Sequence, residues 1–548
     1  MSLPAGIAKW NIKKFRNAHQ NFTQELDENQ SYQLYLNDPE WQGLSSLEQY
    51  NKCTENFQWI IKDALDRNMS VRAMGSGWSF TKVAVSDDII INTKMLRHRF
   101  KLTETNFSSQ FKNSHDISNY HFLQCGNTII KINEYLEQQQ NPAKSLCSSG
   151  GSNGQTIVGA FSTNTHGASI NYGAIAEMIK GMHIVTGPDR HVYLERASEK
   201  ITSTSFHNKI KAEYIADDAL FNAALVSFGS FGCIHGVLVE VEDKFLLEQK
   251  LSRVNFDQRL EEALSKGQYE KLQPYLLYQY SDQNSPLYHV EIAINPHDFK
   301  FDDPEKGVYL RIMHKVKYRD NYQRIDHDSN GYTYGDDALG LIQSVLNMVE
   351  HNAGFLNRKL IPMMVNKLFK TAYERPDNAI GTIGETFRNT VFRGKVFSAA
   401  FGFDPTHLKK VIELCLKVNK KTKLAGILAC RFVKGTDATL GFTKWPTTCV
   451  LELDGGDVNI NYSFVKKLAL LMESEGITYT MHWGKINRHM NENRCQNSYG
   501  KAKIQEWKKQ RSRLMKEEVQ AIFNNEFLDQ FGLDEYIPYA SNTSPIIS

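Results

Sequence analysis

Arg72-Ala73-Met74-Gly75-Ser76-Gly77-Trp78-Ser79-Phe80 sets two glycines and two serines directly behind a strand-like run, Met69 to Met74. Glycine and small hydroxyl residues let backbone N–H groups converge on an anion with no side chain in the way. A second loop of the same kind runs Gly150-Gly151-Ser152-Asn153-Gly154-Gln155-Thr156-Ile157-Val158-Gly159 and continues to Thr163-Asn164-Thr165-His166-Gly167. Near the C-terminal end stands a tetrad, His482-Trp483-Gly484-Lys485. Two such loops suit the pyrophosphate of a dinucleotide with a flat ring beyond it. Each loop taken alone also reads as an ordinary structural turn.

A nicotinamide-type dinucleotide loop is the obvious competitor, and the residues argue against it. That fingerprint needs Gly-x-Gly-x-x-Gly opening a helix, with an acidic ribose anchor about 20 residues on. Here Gly75-Ser76-Gly77 is followed by Trp78-Ser79-Phe80, so the third glycine is missing. The acidic pair Asp87-Asp88 comes too early and precedes the strand-like Ile89-Ile90-Ile91.

At 548 residues the chain calls for more than one core. A hydrophobic content of 41% and a charged content of 23% are those of a soluble globular protein. A net charge of +3, with no basic stripe interleaved with aromatics, gives no expectation of a nucleic-acid partner. The eight cysteines are scattered with no C-x-x-C pair, so neither a zinc site nor a disulfide framework is indicated. With no basic-then-apolar leader pattern and no apolar run of about 18 residues, the expectation is a cytoplasmic protein without a membrane span. One amphipathic stretch, Phe355 to Phe369, reads as a helix packed on its own domain in preference to a membrane-surface helix.

Periodicity predicts a helix over Leu47–Ala64, strands over Asp88–Asn92 and His121–Cys125, and a helix over Ile129–Gln139. Strands follow at Met182–Val185, His191–Leu194 and Val237–Val241. From about Leu246 the pattern changes. Strands are expected at Tyr288–Ile294, Val396–Phe403, Leu424–Val433 and Thr447–Leu453, with a turn at Asp454-Gly455-Gly456-Asp457. A helix capped by Asp404 is expected over Pro405–Lys420, and a long polar loop over Tyr318–Asp337. The fold class expected is α+β, with residues 1–245 as a cofactor domain, 246–477 as a substrate domain, and 478–548 returning to the first.

Together and in this order, the loops and the tetrad resemble the vanillyl-alcohol oxidase family, the PCMH-type FAD-binding flavoenzymes, and most of all its alditol oxidase and aldonolactone oxidase branch. Gly229-Ser230-Phe231-Gly232-Cys233-Ile234 resembles that family's Gly-x-x-Gly-x-Ile stretch against the cofactor. The resemblance is good over Tyr50–Gly167, fair over Phe228–Val241 and Leu424–Leu533, and poor between. It implies FAD contacts from Arg72, Met74, Gly75, Ser76, Gly77, Trp78 and Ser79, then from Gly150, Gly151, Thr156, Gly159, Thr163, Asn164, Thr165 and His166. Gly232, Ile234 and His482 complete the implied set.

The resemblance further implies oxidation of an alcohol carbon of a small hydroxylated substrate (sugar, aldonolactone or polyol-like), with oxygen or another electron acceptor closing the cycle. Lys485 matches the family's substrate-reaching lysine, and Arg431 the arginine of a Glu-x-Arg strand pair. The alternatives are a sheet arginine paired to a carboxylate elsewhere, a solvated lysine after a turn, and a core histidine at His482. Two residues depart from the pattern. Ala429 stands where the Glu-x-Arg pair has its acid, which weakens a polyol assignment. Trp78 stands where many relatives carry a flavin-linking histidine, and Cys147 lies outside any linking motif, so the FAD is expected to be non-covalent. Gly150 aligns with the residue that gates oxygen, and glycine there favours an oxidase yielding hydrogen peroxide. A quinone-using or protein-using dehydrogenase, and a flavin-binding protein without catalysis, remain the alternatives.

Overall fold

The computed structural model describes residues 3–275, 280–281, 284–323, 354–373, 377–388 and 395–538. Most of the expected loop Tyr318–Asp337 falls outside these residues. The architecture is α+β, built on three main sheets.

The first sheet has four strands in the spatial order Ile7–Lys9, Tyr32–Leu34, Ile89–Asn92, Val71–Met74. Its last strand runs straight into the first glycine loop. The helix Ser46–Asp66 begins at a reciprocal cap, in which Ser45 and Glu48 each satisfy the other's free backbone N–H. Its buried face carries Tyr50, Cys53, Phe57, Ile60, Ile61 and Ala64 at helical spacing. The second sheet has seven strands, centred on Cys233–Asp243 between Ile179–Val185 and Tyr120–Gln124.

The third sheet has eight strands and is antiparallel throughout. Its order is Asp377–Gly381, Phe245–Val254, Val308–Lys317, Leu287–Ile294, Gly426–Lys434, Thr447–Gly456, Val396–Phe403, Thr480–Met481. Successive side chains alternate between faces. Leu428, Cys430, Phe432, Leu451 and Leu453 point one way, into a core shared with the helices Leu408–Lys421 and Asn459–Ser474. Ala429, Arg431, Glu452 and Asp454 point the other way. Part of that second face is covered by the helix Gly354–Ala372, whose Ile361, Val365, Leu368 and Phe369 pack on Leu251, Tyr309 and Ile427. The expected amphipathic helix therefore packs on its own sheet.

The turn expected at Asp454-Gly455-Gly456-Asp457 is a correction, because the strand continues to Gly456. Gly426 and Gly455 lie opposite each other, so close that a methyl on either would strike the other strand's backbone. Glycine here serves interstrand approach, which in sequence is indistinguishable from a turn. The helix after Asp404 begins as a 3-10 turn over Pro405–His407, with Asp404 accepting from the Thr406 N–H, before the α-helix proper.

Thr480–Met481 adds an edge strand to the third sheet just before the His482 tetrad. The helix Lys501–Leu514 then returns to the first part of the chain. Trp507 Nε1 donates to Val226 O at 3.1 Å, and the buried Arg511 guanidinium donates to Ser230 O at 2.9 Å.

Candidate active site

The three motifs are tied to one another by backbone contacts across hundreds of residues. Phe80 N donates to Gly484 O at 2.8 Å, and Thr81 Oγ1 to Trp483 O at 3.0 Å, fastening the first loop to the tetrad. Gly75 is the point where the first loop meets the second, and a side chain there would collide with Thr156. Gly154 lies against the Trp78 indole, with no room for a methyl between them. The N-terminal arm covers this junction, with Ala18 N donating to Gly77 O at 2.8 Å and the His19 ring stacked on Phe80 at 4.2 Å.

A single cavity runs along the junction and out beneath the third sheet. Met74, Gly75, Ser76, Gly77, Trp78 and Ser79 line it from the first loop. The second loop contributes Gly151, Thr156, Gly159, Thr163, Thr165 and His166. Gly232, Ile234 and His482 line it as well, and Arg431 and Lys485 stand on the wall beyond. Its unfilled space is about 1590 Å³ with the open mouth included.

Three of the residues implied as FAD contacts are not on this wall. Arg72 is buried behind it, donating from Nη1 to Gly229 O at 2.6 Å and from Nη2 to Phe523 O at 2.8 Å. Asn164 adopts a left-handed backbone with φ of 57° and accepts from Thr443 N at 3.1 Å, which pins the loop to the third sheet's neighbourhood. Gly150 is buried, and a methyl on it would come within 2.9 Å of Thr165 Cγ2. Of the two glycines, Gly151 is the one that lines the cavity.

Around the two loops the cavity holds buried hydroxyl and amide groups that no protein group satisfies: Ser76 Oγ, Gln155 Oε1 and Ser162 Oγ. Unpaired buried polar atoms are costly, and a ligand rich in phosphate and ribose oxygens supplies the missing partners. The wall therefore fits FAD, with the two glycine loops as the cradle.

Beyond the loops the wall turns ionic. Glu452, 1% exposed, accepts from Lys485 Nζ at Oε1 over 2.5 Å and pairs with Arg431 Nη1 at Oε2 over 2.7 Å. Arg431 Nε also donates to Glu291 Oε2 at 2.8 Å. Glu291 lies near His289 Nε2 at 3.5 Å and Arg311 Nη1 at 3.6 Å. Burial pushes the Glu452 carboxyl up, but the Arg431 and Lys485 charges outweigh it and hold it down at about 2. Asp454, two residues along the same face, is instead raised by burial, and it accepts from Ser398 Oγ at 2.6 Å. Burial also keeps His166 near 4 and His482 well below its ordinary range, so both rings are neutral near pH 7.

Sequence reasoning missed Glu452, Asp454, Ser398 and His19. The carboxylates did leave a signal, two acids spaced by two inside the apolar run Cys449-Val450-Leu451-Glu452-Leu453-Asp454. His19 left none.

Comparison with known proteins agrees with this geometry. The sequence profile of the family described as "FAD binding domain" matches residues 50–193. The chain is 25% identical to the D-arabinono-1,4-lactone oxidase of Candida glabrata over 228 residues, 42% of this chain and 37% of that protein. It is 26% identical to the L-gulono-1,4-lactone dehydrogenase of Mycobacterium tuberculosis over 202 residues, 37% of this chain and 39% of that protein. The matches thus span well under half of the relatives' own length. Among solved structures, cholesterol oxidase from Brevibacterium sterolicum superposes with a TM-score of 0.64 at 11% identity, covering 97% of this chain and 99% of that one. A solvent-stable cholesterol oxidase gives 0.66 at 12% identity, covering 97% of this chain and 99% of that one. Among the described residues, no helix is long and apolar enough to cross a membrane. Residues 50–193 thus match an FAD-binding domain, and the chain shares over nearly its whole length the fold of the superposed cholesterol oxidases.

Proposed function

We propose that the protein is an FAD-dependent oxidoreductase that oxidises an alcohol carbon of a small polyhydroxylated substrate of the sugar or aldonolactone class. The observation that carries this reading is the Arg431–Glu452–Lys485 clamp on the wall of the same cavity as the two glycine loops. When bound, FAD supplies the acceptor for two electrons and a hydrogen at its N5. Lys485 and Arg431 are cations fixed in advance by one carboxylate, the arrangement that favours a developing alkoxide without reorganisation. Glu452 keeps lone pairs free to accept from a second substrate hydroxyl. Asp454 and Ser398 extend the polar wall toward further hydroxyls.

This wall speaks against a sterol substrate, although the superposed structures are cholesterol oxidases. An apolar ring system seated there would strip water from ionic groups and return no hydrogen bonds, and buried polar groups left unpaired are costly. The lactone oxidases and dehydrogenases among the relatives point to the same substrate class as the wall. Oxygen is the acceptor we favour, because Gly151 leaves the cavity unobstructed at the second loop. The named lactone dehydrogenase keeps a second reading open, in which another acceptor takes the electrons.

The test is anaerobic mixing of the yellow protein with aldonolactones, sugars, polyols and sterols while the flavin absorbance is followed. Bleaching by a hydroxylated, water-soluble compound supports the reading. Bleaching by sterols alone overturns the substrate class, and no bleaching by any of them leaves a flavin-binding protein without this chemistry.

A further inference from the structure

His166 and His482 face one cavity with their rings 5.4 Å apart, and their hydrogen bonds fix them in opposite tautomers. His166 Nδ1 lies 2.9 Å from the carbonyl oxygen of Gly167. A carbonyl can only accept, so Nδ1 carries the hydrogen, and in the neutral ring Nε2 carries the lone pair. His482 Nδ1 lies 3.0 Å from the backbone N–H of Gly484. That group can only donate, so the hydrogen of His482 sits on Nε2. The cavity therefore holds one imidazole acceptor and one imidazole donor.

The acceptor is well placed. His166 Nε2 stands 4.0 Å from Glu452 Oε1, the same carboxylate oxygen that receives Lys485 Nζ. A lone pair beside a carboxylate has no attraction of its own to offer, and the gap between them suits a group that brings a hydrogen. Resting on the reading of this cavity as an alcohol-oxidising site, we propose that His166 Nε2 is the base that accepts the proton of the substrate hydroxyl.

The substrate's O–H and C–H bonds break and a C=O bond forms. The proton goes to His166 Nε2, and the hydrogen of the C–H bond leaves with both electrons as hydride to FAD, the oxidant. Lys485 and Arg431 stabilise the oxygen as the proton departs. Glu452 stabilises the imidazolium that results, and His482 Nε2–H offers a donor to an oxygen across the cavity. His166 gives its proton to solvent before the next turnover. The charged and titratable groups facing His166 are Glu452 and Arg431 from the sheet, and Lys485 and His482 from the tetrad. Burial keeps His166 unprotonated throughout the neutral range.

The experiment compares the full-length holoprotein with His166→Asn, whose amide can still donate to Gly167 O but has no Nε2. Nitrogen-15 NMR of histidine-labelled parent and variant identifies the His166 signals by their loss. The expected signature is hydrogen on Nδ1 and none on Nε2; hydrogen on Nε2 overturns the proposal, whatever the variant does. Where His166→Asn holds FAD as the parent does, flavin reduction by saturating substrate should slow by about 10²–10⁴-fold, the range for a lost general base. The residual rate should climb with pH as hydroxide takes over, while the parent stays flat from pH 6 to 9. In His166→Ala, added imidazole should restore part of the rate. Equal rates and equal pH dependence in parent and His166→Asn contradict the role of His166 alone. Failure of every hydroxylated compound to reduce the parent contradicts the functional reading instead.

Discussion

Ala429 and Glu452 stand directly opposite each other on adjacent antiparallel strands, on the face that lines the cavity. Glu452 thus presents a carboxylate beside the small Ala429, and it pairs with Arg431, two residues along that strand. Glu452→Gln should leave FAD bound while slowing flavin reduction by at least about 10², the usual loss when a preorganised charge is removed from such a site. The double change Ala429→Glu with Glu452→Ala moves the acid back across the register and should recover part of that loss relative to Glu452→Ala. A double variant no faster than the single one would mean that the two positions are not equivalent.

Arg431→Met and Lys485→Met should each slow reduction by about 10²–10³ without releasing FAD. Both residues hold the same carboxylate, so their effects should be less than additive in a double-mutant cycle. Additive losses would separate them into independent sites.

Release of the flavin by acid tests the non-covalent expectation. Trp78 is 7% exposed and packs against Gly154, and Cys147 is half-buried with its thiol pushed up by burial. After acid precipitation the yellow colour should stay in the supernatant. Fluorescence in the washed pellet would show a covalent link.

The two glycines of the second loop separate packing from oxygen access. Gly151→Ala should slow reoxidation of the reduced protein in air and spare reduction by substrate. Gly150→Ala, which crowds Thr165, should instead lower thermal stability. Slow reoxidation of the parent itself, over minutes instead of well under a second, would make the protein a dehydrogenase.

Buried histidines make the fold sensitive to mild acid. His19, His121, His166, His207, His297 and His489 are each lowered by burial from 6.5 to about 4. Between those values the unfolded chain binds more protons than the folded one, so stability rises with pH across the window and falls as pH drops from about 6.5 toward 4. The melting temperature should decline steeply between pH 6.5 and 5. A flat profile there would mean that these rings are protonated in the fold.

Much of this site is written in short motifs, and those were legible. The glycine loops, the tetrad and Arg431 carry local signatures, and the loops lie on the ends of strands whose periodicity is plain. What was not legible depends on register and long-range contact. Nothing local to Ala429 says that Glu452 lies across from it, and nothing in Arg72 says that its guanidinium turns away to Phe523 O, 451 residues on. Gly150 and Gly151 are the same letter twice, and only backbone geometry shows which one faces the cavity. The glycines at 455 and 456 read as a turn because close strand approach and chain reversal both need a residue without a side chain.

Anaerobic titration of the purified yellow protein with an aldonolactone series tests the account most directly. It predicts that at least one soluble polyhydroxylated compound bleaches the flavin stoichiometrically, and that Glu452→Gln bleaches at least about 10² times more slowly. A parent protein bleached only by sterols, or bleached equally fast in the variant, would contradict it.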